Sequence, residues 1–166
     1  MQKRTRLIAV GDIWLRTESG RHPFEGVRRL IQDKDILFGN LETTLSETGE
    51  RAEKHHVIFT SPDAARYLVD AGFDVLSVAN NHAGDLGAEG FKNTLDALKS
   101  RGILPIGGSA TESRQEPVIL ERNGISIGFA GYSIGRRTPP RDFLINRLVE
   151  KEIVWDIASL AGRCDH

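Results

Sequence analysis

A chain of 166 residues, 39% hydrophobic and 27% charged, is one domain's worth of ordinary globular protein, long enough to bury a core. Its formal charge of −1 argues against nucleic acid or an anionic membrane as partner. A single cysteine, Cys164, excludes an internal disulfide framework, and the apolar run Leu7-Ile8-Ala9-Val10 is too short for a signal core or a membrane span, so cytoplasm is the expected location.

Leu7-Ile8-Ala9-Val10 reads as a buried strand closed by Gly11-Asp12, and a fully apolar run of this kind suits a strand covered on both faces. Phe24, Val27, Leu30 and Ile31 fall at helical spacing. A second strand, 35–39, runs into Asn40-Leu41-Glu42. Residues 43–60 are polar and read as a long loop, with a short extended piece near Val57-Ile58-Phe59 and with Glu47, Glu50, Arg51, Glu53 and Lys54 solvated. Ser61-Pro62-Asp63 is a helix start, because Ser caps, Pro fits the first turn and Asp favours the positive helix end. That helix stops at Gly72.

A third strand, 73–78, leads into Ala79-Asn80-Asn81-His82-Ala83-Gly84-Asp85-Leu86-Gly87. Phe91, Leu95 and Leu98 then mark one face of a helix over about 88–100 that ends at Gly102. Residues 103–106 form a short strand whose Pro105 points to an edge, and Gly107-Gly108 makes a turn. Asn123-Gly124 between two apolar runs is a strong hairpin signal. Arg136-Arg137-Thr138-Pro139-Pro140-Arg141 reads as a basic loop, either solvated or facing an anionic substrate. The last helix spans about 147–160, with Leu148, Ile153, Ile157 and Leu160 on its buried side. Strands alternating with helices, plus one antiparallel hairpin, give an α/β fold in a single domain over 1–166.

Each of three successive apolar strands ends in polar residues able to bind a cation or carry a proton: Asp12, then Asn40 with Glu42, then Asn81 with His82. Neighbouring strands would bring these groups to one sheet edge, where open α/β sheets place their ligands. Carboxylate, amide oxygen and imidazole suit a divalent cation, with Mn, Mg, Zn and Fe all open. A pair of such ions activates water and clamps a phosphoryl or acyl oxygen, while His82 moves a proton.

Gly11-Asp12-Ile13, Gly39-Asn40-Leu41-Glu42 and the 79–87 motif, followed by Gly90, Thr94, Leu98 and Gly102-Ile103, resemble the CapA family of poly-gamma-glutamate capsule biosynthesis proteins, relatives of the calcineurin-like metallophosphoesterases. The resemblance runs over about 7–133. It implies a layered metallophosphoesterase-like α/β fold with a mixed sheet and a metal-dependent hydrolase acting in capsule or poly-gamma-glutamate metabolism. Asp12 and Asn81 would be metal ligands, Glu42 a bridging carboxylate and His82 the catalytic residue. Asn40, Asn80 and Asp85 would support these ligands, shape the loop or meet substrate.

The chain departs from that pattern in two places. Trp14 stands where metallophosphoesterases usually carry a His, and nothing matches the family's later His-Trp-Gly and Gly-His-His-Pro-His segments. The expectation is a domain truncated at its carboxyl end. Two other readings follow: a binding or assembly subunit without a complete metal centre, or an incomplete piece with an open sheet edge. The implied partners are an anionic substrate, phosphoester or polyglutamate, and either other capsule-synthesis proteins or a second copy of the chain. His55-His56 reads as solvated or substrate-facing, His22 as a surface turn residue and Cys164 as a plain thiol, while Trp14 either lines the site mouth or packs.

Overall fold

The computed structural model describes residues 4–16, 21–111, 113–134 and 142–166, so the basic loop at 136–141 lies outside the described residues. Strand β1 (Leu7–Ile13) is followed by a 3-10 turn (Glu25–Val27) and a one-turn helix α1 (Arg28–Ile31). Of the four apolar residues expected on a helix face here, only Ile31 is fully buried, because one turn is too short to present a stripe to the core. Strand β2 (Ile36–Leu41) comes next, then two-residue strands β3 (Thr44–Leu45) and β4 (Phe59–Thr60), which pair in parallel.

Helix α2 (Ala65–Ala71) starts as expected. The Ser61 side chain accepts a bond from the Asp63 N–H at 3.4 Å, Pro62 opens the preceding 3-10 turn, and Gly72 closes the helix at φ +79°. Strand β5 (Val75–Ser77), helix α3 (Gly87–Lys99) and strand β6 (Leu104–Ile106) complete the regular part. Phe91, Leu95 and Leu98 of α3 are buried on one face, as their spacing predicts.

One four-stranded sheet, in the order β1-β2-β5-β6, is parallel throughout. Its central strands are the most buried: Ile36, Leu37, Val75 and Leu76 exclude solvent entirely. β1 and β6 are the edges. Pro105 lies in β6, where one side of the strand has no partner strand and the missing N–H does least harm. β1 is not covered on both faces as its composition suggests, since Leu7 is 38% exposed. Nor does Gly11-Asp12 end it: the register shifts between Ala9 and Asp12, and the strand continues with Asp12 opposite Asn40 and Ile13 opposite Leu41. Such an irregularity re-aims the side chains beyond it.

The expected polar loop after β2 begins inside the core. Thr43, Thr44, Leu45 and Ser46 are buried, and the hydroxyls of Thr43 and Thr94 accept the Leu15 and Leu45 N–H groups at 2.8 and 2.9 Å. Side-chain oxygens in the right places let backbone leave water here.

Strand β7 (Gly108–Ser109) pairs with β10 (Leu144–Ile145), and β8 (Val118–Arg122) with β9 (Ile125–Phe129). The β8–β9 turn has Asn123 at φ +55° and Gly124 at φ +72°, the two positive values that a twisted two-residue hairpin turn needs. Antiparallel pairing is thus confined to two-stranded units apart from the parallel sheet. Asp165 and His166 run beside β9, with Gly128 N–H bonded to His166 O at 2.7 Å.

Helix α4 (Glu150–Leu160) corrects the expected burial of its region. Leu148, ahead of the helix, and Ile157 within it are 53% and 63% exposed, Ile153 and Leu160 are half-buried, and the fully buried helix residue is Asp156. Arg114 ion-pairs with Asp156, Tyr132 donates its hydroxyl to it, and the Arg114 guanidinium lies 5.6 Å from the Trp155 ring centre. The face of α4 turned inward therefore carries the paired Asp156 between the half-buried Ile153 and Leu160. Among the described residues no helix is long and apolar enough to cross a membrane.

Candidate functional site at the strand ends

Register alone brings the first groups together. Asp12 on β1 stands opposite Asn40 on β2, and Asn40 stands opposite Ser77 on β5. The Asn40 amide donates from Nδ2 to Asp12 Oδ1 and to Glu42 Oε1, each at 2.7 Å. Its own oxygen accepts from Asn80 Nδ2 at 3.0 Å, and that same nitrogen donates to Leu41 O at 2.8 Å. Asn80 Oδ1 in turn caps the His82 N–H at 3.0 Å, forming an Asx turn. This chain of bonds fixes which way both amides point, so the Asn40 NH2 group faces the carboxylates.

His82 sits between two carboxylates. Its Nδ1 lies 2.8 Å from Asp85 Oδ2 and its Nε2 lies 3.7 Å from Glu42 Oε2. Asp85 is wholly buried and also takes the Ile58 N–H on Oδ2 at 2.5 Å. An ionised carboxylate only accepts, so Nδ1 donates to Asp85, while Nε2 faces Glu42. That is the arrangement of a histidine oriented by one carboxylate with its other nitrogen turned toward a second, a geometry suited to proton transfer.

The structure therefore joins Asp12, Asn40, Glu42, Asn80, His82 and Asp85 in one hydrogen-bonded and ion-paired set. Asn81 stands apart. Its backbone carbonyl accepts from Lys54 Nζ at 2.8 Å, while its exposed side chain makes no hydrogen bond among the described residues. Lys54 is the member that sequence reasoning missed. Expected to be solvated, it ion-pairs with Asp85 Oδ1, and its side chain is only 29% exposed. No spacing rule flags it, since it reaches the site from the long segment between β3 and β4.

Trp14, just past Asp12, is exposed. With Arg16, 5.2 Å from its ring centre, it lines a cleft that also takes in Arg21 and His22. His22 is more than a surface turn residue: its Nδ1 accepts the Phe24 N–H at 3.2 Å and its ring meets Tyr67 edge-on at 5.1 Å. His55 and His56 are exposed.

Asp12 and Glu42 are hard oxygen donors whose carboxylates converge on one point, now held by the Asn40 amide. In chemistry and convergence that pair suits a hard divalent cation. It is a partial set: among the described residues no group of three or more His, Cys, Asp or Glu is placed to hold a metal ion.

The comparisons with known proteins point the same way as the motif. PGA biosynthesis protein CapA of Bacillus subtilis (strain 168) is 30% identical over 114 residues, 66% of this chain and 30% of its own length. Capsule biosynthesis protein CapA of Bacillus anthracis is 25% identical over 148 residues, 79% of this chain and 35% of that protein. A probable polyglutamine synthesis accessory protein of Mycobacterium tuberculosis is 30% identical over 138 residues, 75% of this chain and 36% of its own. The chain thus spans about a third of the length of the curated relatives it matches. The family model for the bacterial capsule synthesis protein PGA_cap matches residues 6–155, a span that takes in β1, the strand-end cluster and about half of α4, and to that family this chain belongs.

Proposed function

We propose that this chain serves capsule or poly-gamma-glutamate metabolism and that its strand-end cluster is the centre of a metal-dependent hydrolase acting on a phosphoester or related bond. The observation that carries this reading is the His82 ring, held at Nδ1 by buried Asp85 while Nε2 is turned toward Glu42 and the mouth of the site. Asp12 and Glu42 would hold a divalent ion, Mn, Mg, Zn or Fe, with Asn81 as the further ligand. When bound, such an ion polarises a phosphoryl or acyl oxygen and lowers the pKa of a bound water. The chain's own part is proton handling: His82 Nε2 takes a proton from the attacking water or, once protonated, gives one to the leaving group. Asn40 and Asn80 keep Asp12, Glu42 and the His82 turn in register. An anionic substrate would be met by Arg16 and Arg21 in the cleft beside Trp14.

The test is a panel of phosphoesters and amides with added Mn, comparing the native chain with Asp12→Ala and His82→Ala. Loss of hydrolysis by about a hundredfold or more in both, with unchanged melting, is the expected result. Full activity in both variants would sink the proposal.

One observation favours a second reading, a binding or assembly subunit working with other capsule-synthesis proteins or with a second copy. The Asn40 amide already satisfies one oxygen each of Asp12 and Glu42. On that reading neither Mn nor Zn raises the melting temperature. A shift with either metal that disappears in Asp12→Ala rejects it.

A further inference from the structure

The segment between β3 and β4 lies across the 80–87 motif and is bonded to it at several points. Ala52 N–H donates to Asp85 O at 2.9 Å and Ile58 N–H to Asp85 Oδ2 at 2.5 Å, while Thr44 Oγ1, in β3 itself, donates to His82 O at 3.1 Å. At Gly49, φ +124°, an added Cβ would sit 2.2 Å from Leu86 O, so the two backbones touch. Lys54 is the side chain that this strap turns inward. Its ammonium donates to Asn81 O at 2.8 Å, ion-pairs with Asp85 Oδ1 and lies 3.2 Å from His82 Nδ1. Among the described residues Asp85 Oδ1 is buried and takes no other polar partner than that ammonium.

The two oxygens of Asp85 therefore have separate duties. Oδ1 is occupied by Lys54, which leaves Oδ2 for the Ile58 N–H and the His82 ring. We infer that Lys54 is a positioning residue for His82. By gripping the Asn81 carbonyl and Asp85 Oδ1 together, its ammonium fixes both the turn that carries the ring and the carboxylate that orients it. Without it Asp85 Oδ1 is buried with no polar partner among the described residues, the Ile58 N–H is left to direct Oδ2, and the imidazole is held less firmly by the carboxylate that selects its Nδ1–H form. The inference deepens the reading of His82 as the proton-transfer group and rests on it for its meaning in catalysis, but its test does not.

That test is the imidazole nitrogen spectrum of the uniformly 15N-labelled full chain, recorded by long-range proton–nitrogen correlation above neutral pH. His82 is assigned as the set of signals lost in His82→Ala. The native chain is expected to show one tautomer, protonated at Nδ1. Lys54→Met is expected to add the Nε2–H form or to merge the two into averaged shifts, and Lys54→Arg, which keeps a cation on the strap, to recover most of the native pattern. Lys54→Gln, which keeps donors but no charge, is read in the same way as Lys54→Met if the latter does not fold. A native His82 pattern in Lys54→Met or Lys54→Gln would overturn the inference, and so would an Nε2–H ring in the native chain. Neither metal binding nor turnover enters these readings, so the hydrolase proposal and this one fail separately.

Discussion

In β2 and β5 the apolar residues Ile36, Leu37, Val75 and Leu76 are buried and the polar groups wait at the strand ends, whereas in α4 the buried residue is Asp156 and Val154, Trp155 and Ile157 face outward. Both regions contain a sequestered carboxylate. Asp85 has a lysine on one oxygen and a histidine and a backbone N–H on the other, and its neighbours open onto the row of groups at the sheet edge. Asp156 has Arg114 and Tyr132 on a single oxygen, while its other oxygen is buried with no hydrogen bond among the described residues. A buried acid that orients a histidine has the form of a chemical site, whereas a buried acid closed off by Arg and Tyr has the form of a structural tie.

The comparison breaks most visibly at Asp85. Asp85→Ala removes the partner of Lys54, His82 and Ile58 together, and an unfolding titration in urea is expected to show a loss of about 3–5 kcal/mol. A loss under about 1 kcal/mol would mean that the motif is held by its backbone bonds alone.

The α4 side is sharpened by pH. Burial, then the bond to Asp156, raises the Tyr132 hydroxyl from 10.0 to about 12. A group raised in the folded chain gives stability that is intact below its unfolded value and lost as pH climbs through its folded value. Stability should therefore fall between about pH 10 and 12, by roughly 1–2 kcal/mol from this residue. Tyr132→Phe should remove that part of the alkaline loss, as read from melting temperatures across the range. An unchanged alkaline profile in the variant would show that Tyr132 is not tied to Asp156 in solution.

The smallest effects belong to the outer face of α4. Val154→Ser and Ile157→Ser take apolar groups from solvent-facing positions and should each change stability by less than about 0.5 kcal/mol. A loss of 2 kcal/mol in either would place that face against something else in solution.

The same contrast explains what the sequence could reveal. Strand ends were legible because each apolar run stops at a polar residue: Asp12, Asn40-Leu41-Glu42 and Asn80-Asn81-His82 fall at one sheet edge because β1, β2 and β5 are neighbours. The Ser61 cap, the Gly72 stop, the α3 face and the Asn123-Gly124 turn were legible for the same reason, each being set by local chemistry. What stayed hidden depends on partners distant in sequence. Lys54 lies in a charged run that looks solvated and is drawn inward only by Asp85 and the Asn81 carbonyl. Asp156 sits among apolar residues that suggest a buried stripe, and its own burial depends on Arg114 and Tyr132, which no local spacing reveals. Thr43 and Thr44 look like loop because hydroxyls usually face water, yet here they bond backbone groups, the buried Leu15 N–H and the His82 carbonyl.

The central claim is that Asp12 and Glu42, brought to one edge by β1 and β2 and faced by His82, form a cation-binding centre. Its most direct test is calorimetric titration of the full chain with Mn, with Asp12→Ala as the matched control. Saturable binding of about one ion per chain, lost in Asp12→Ala, is the expected result. Equal binding in both proteins, or none in the native chain, would contradict it.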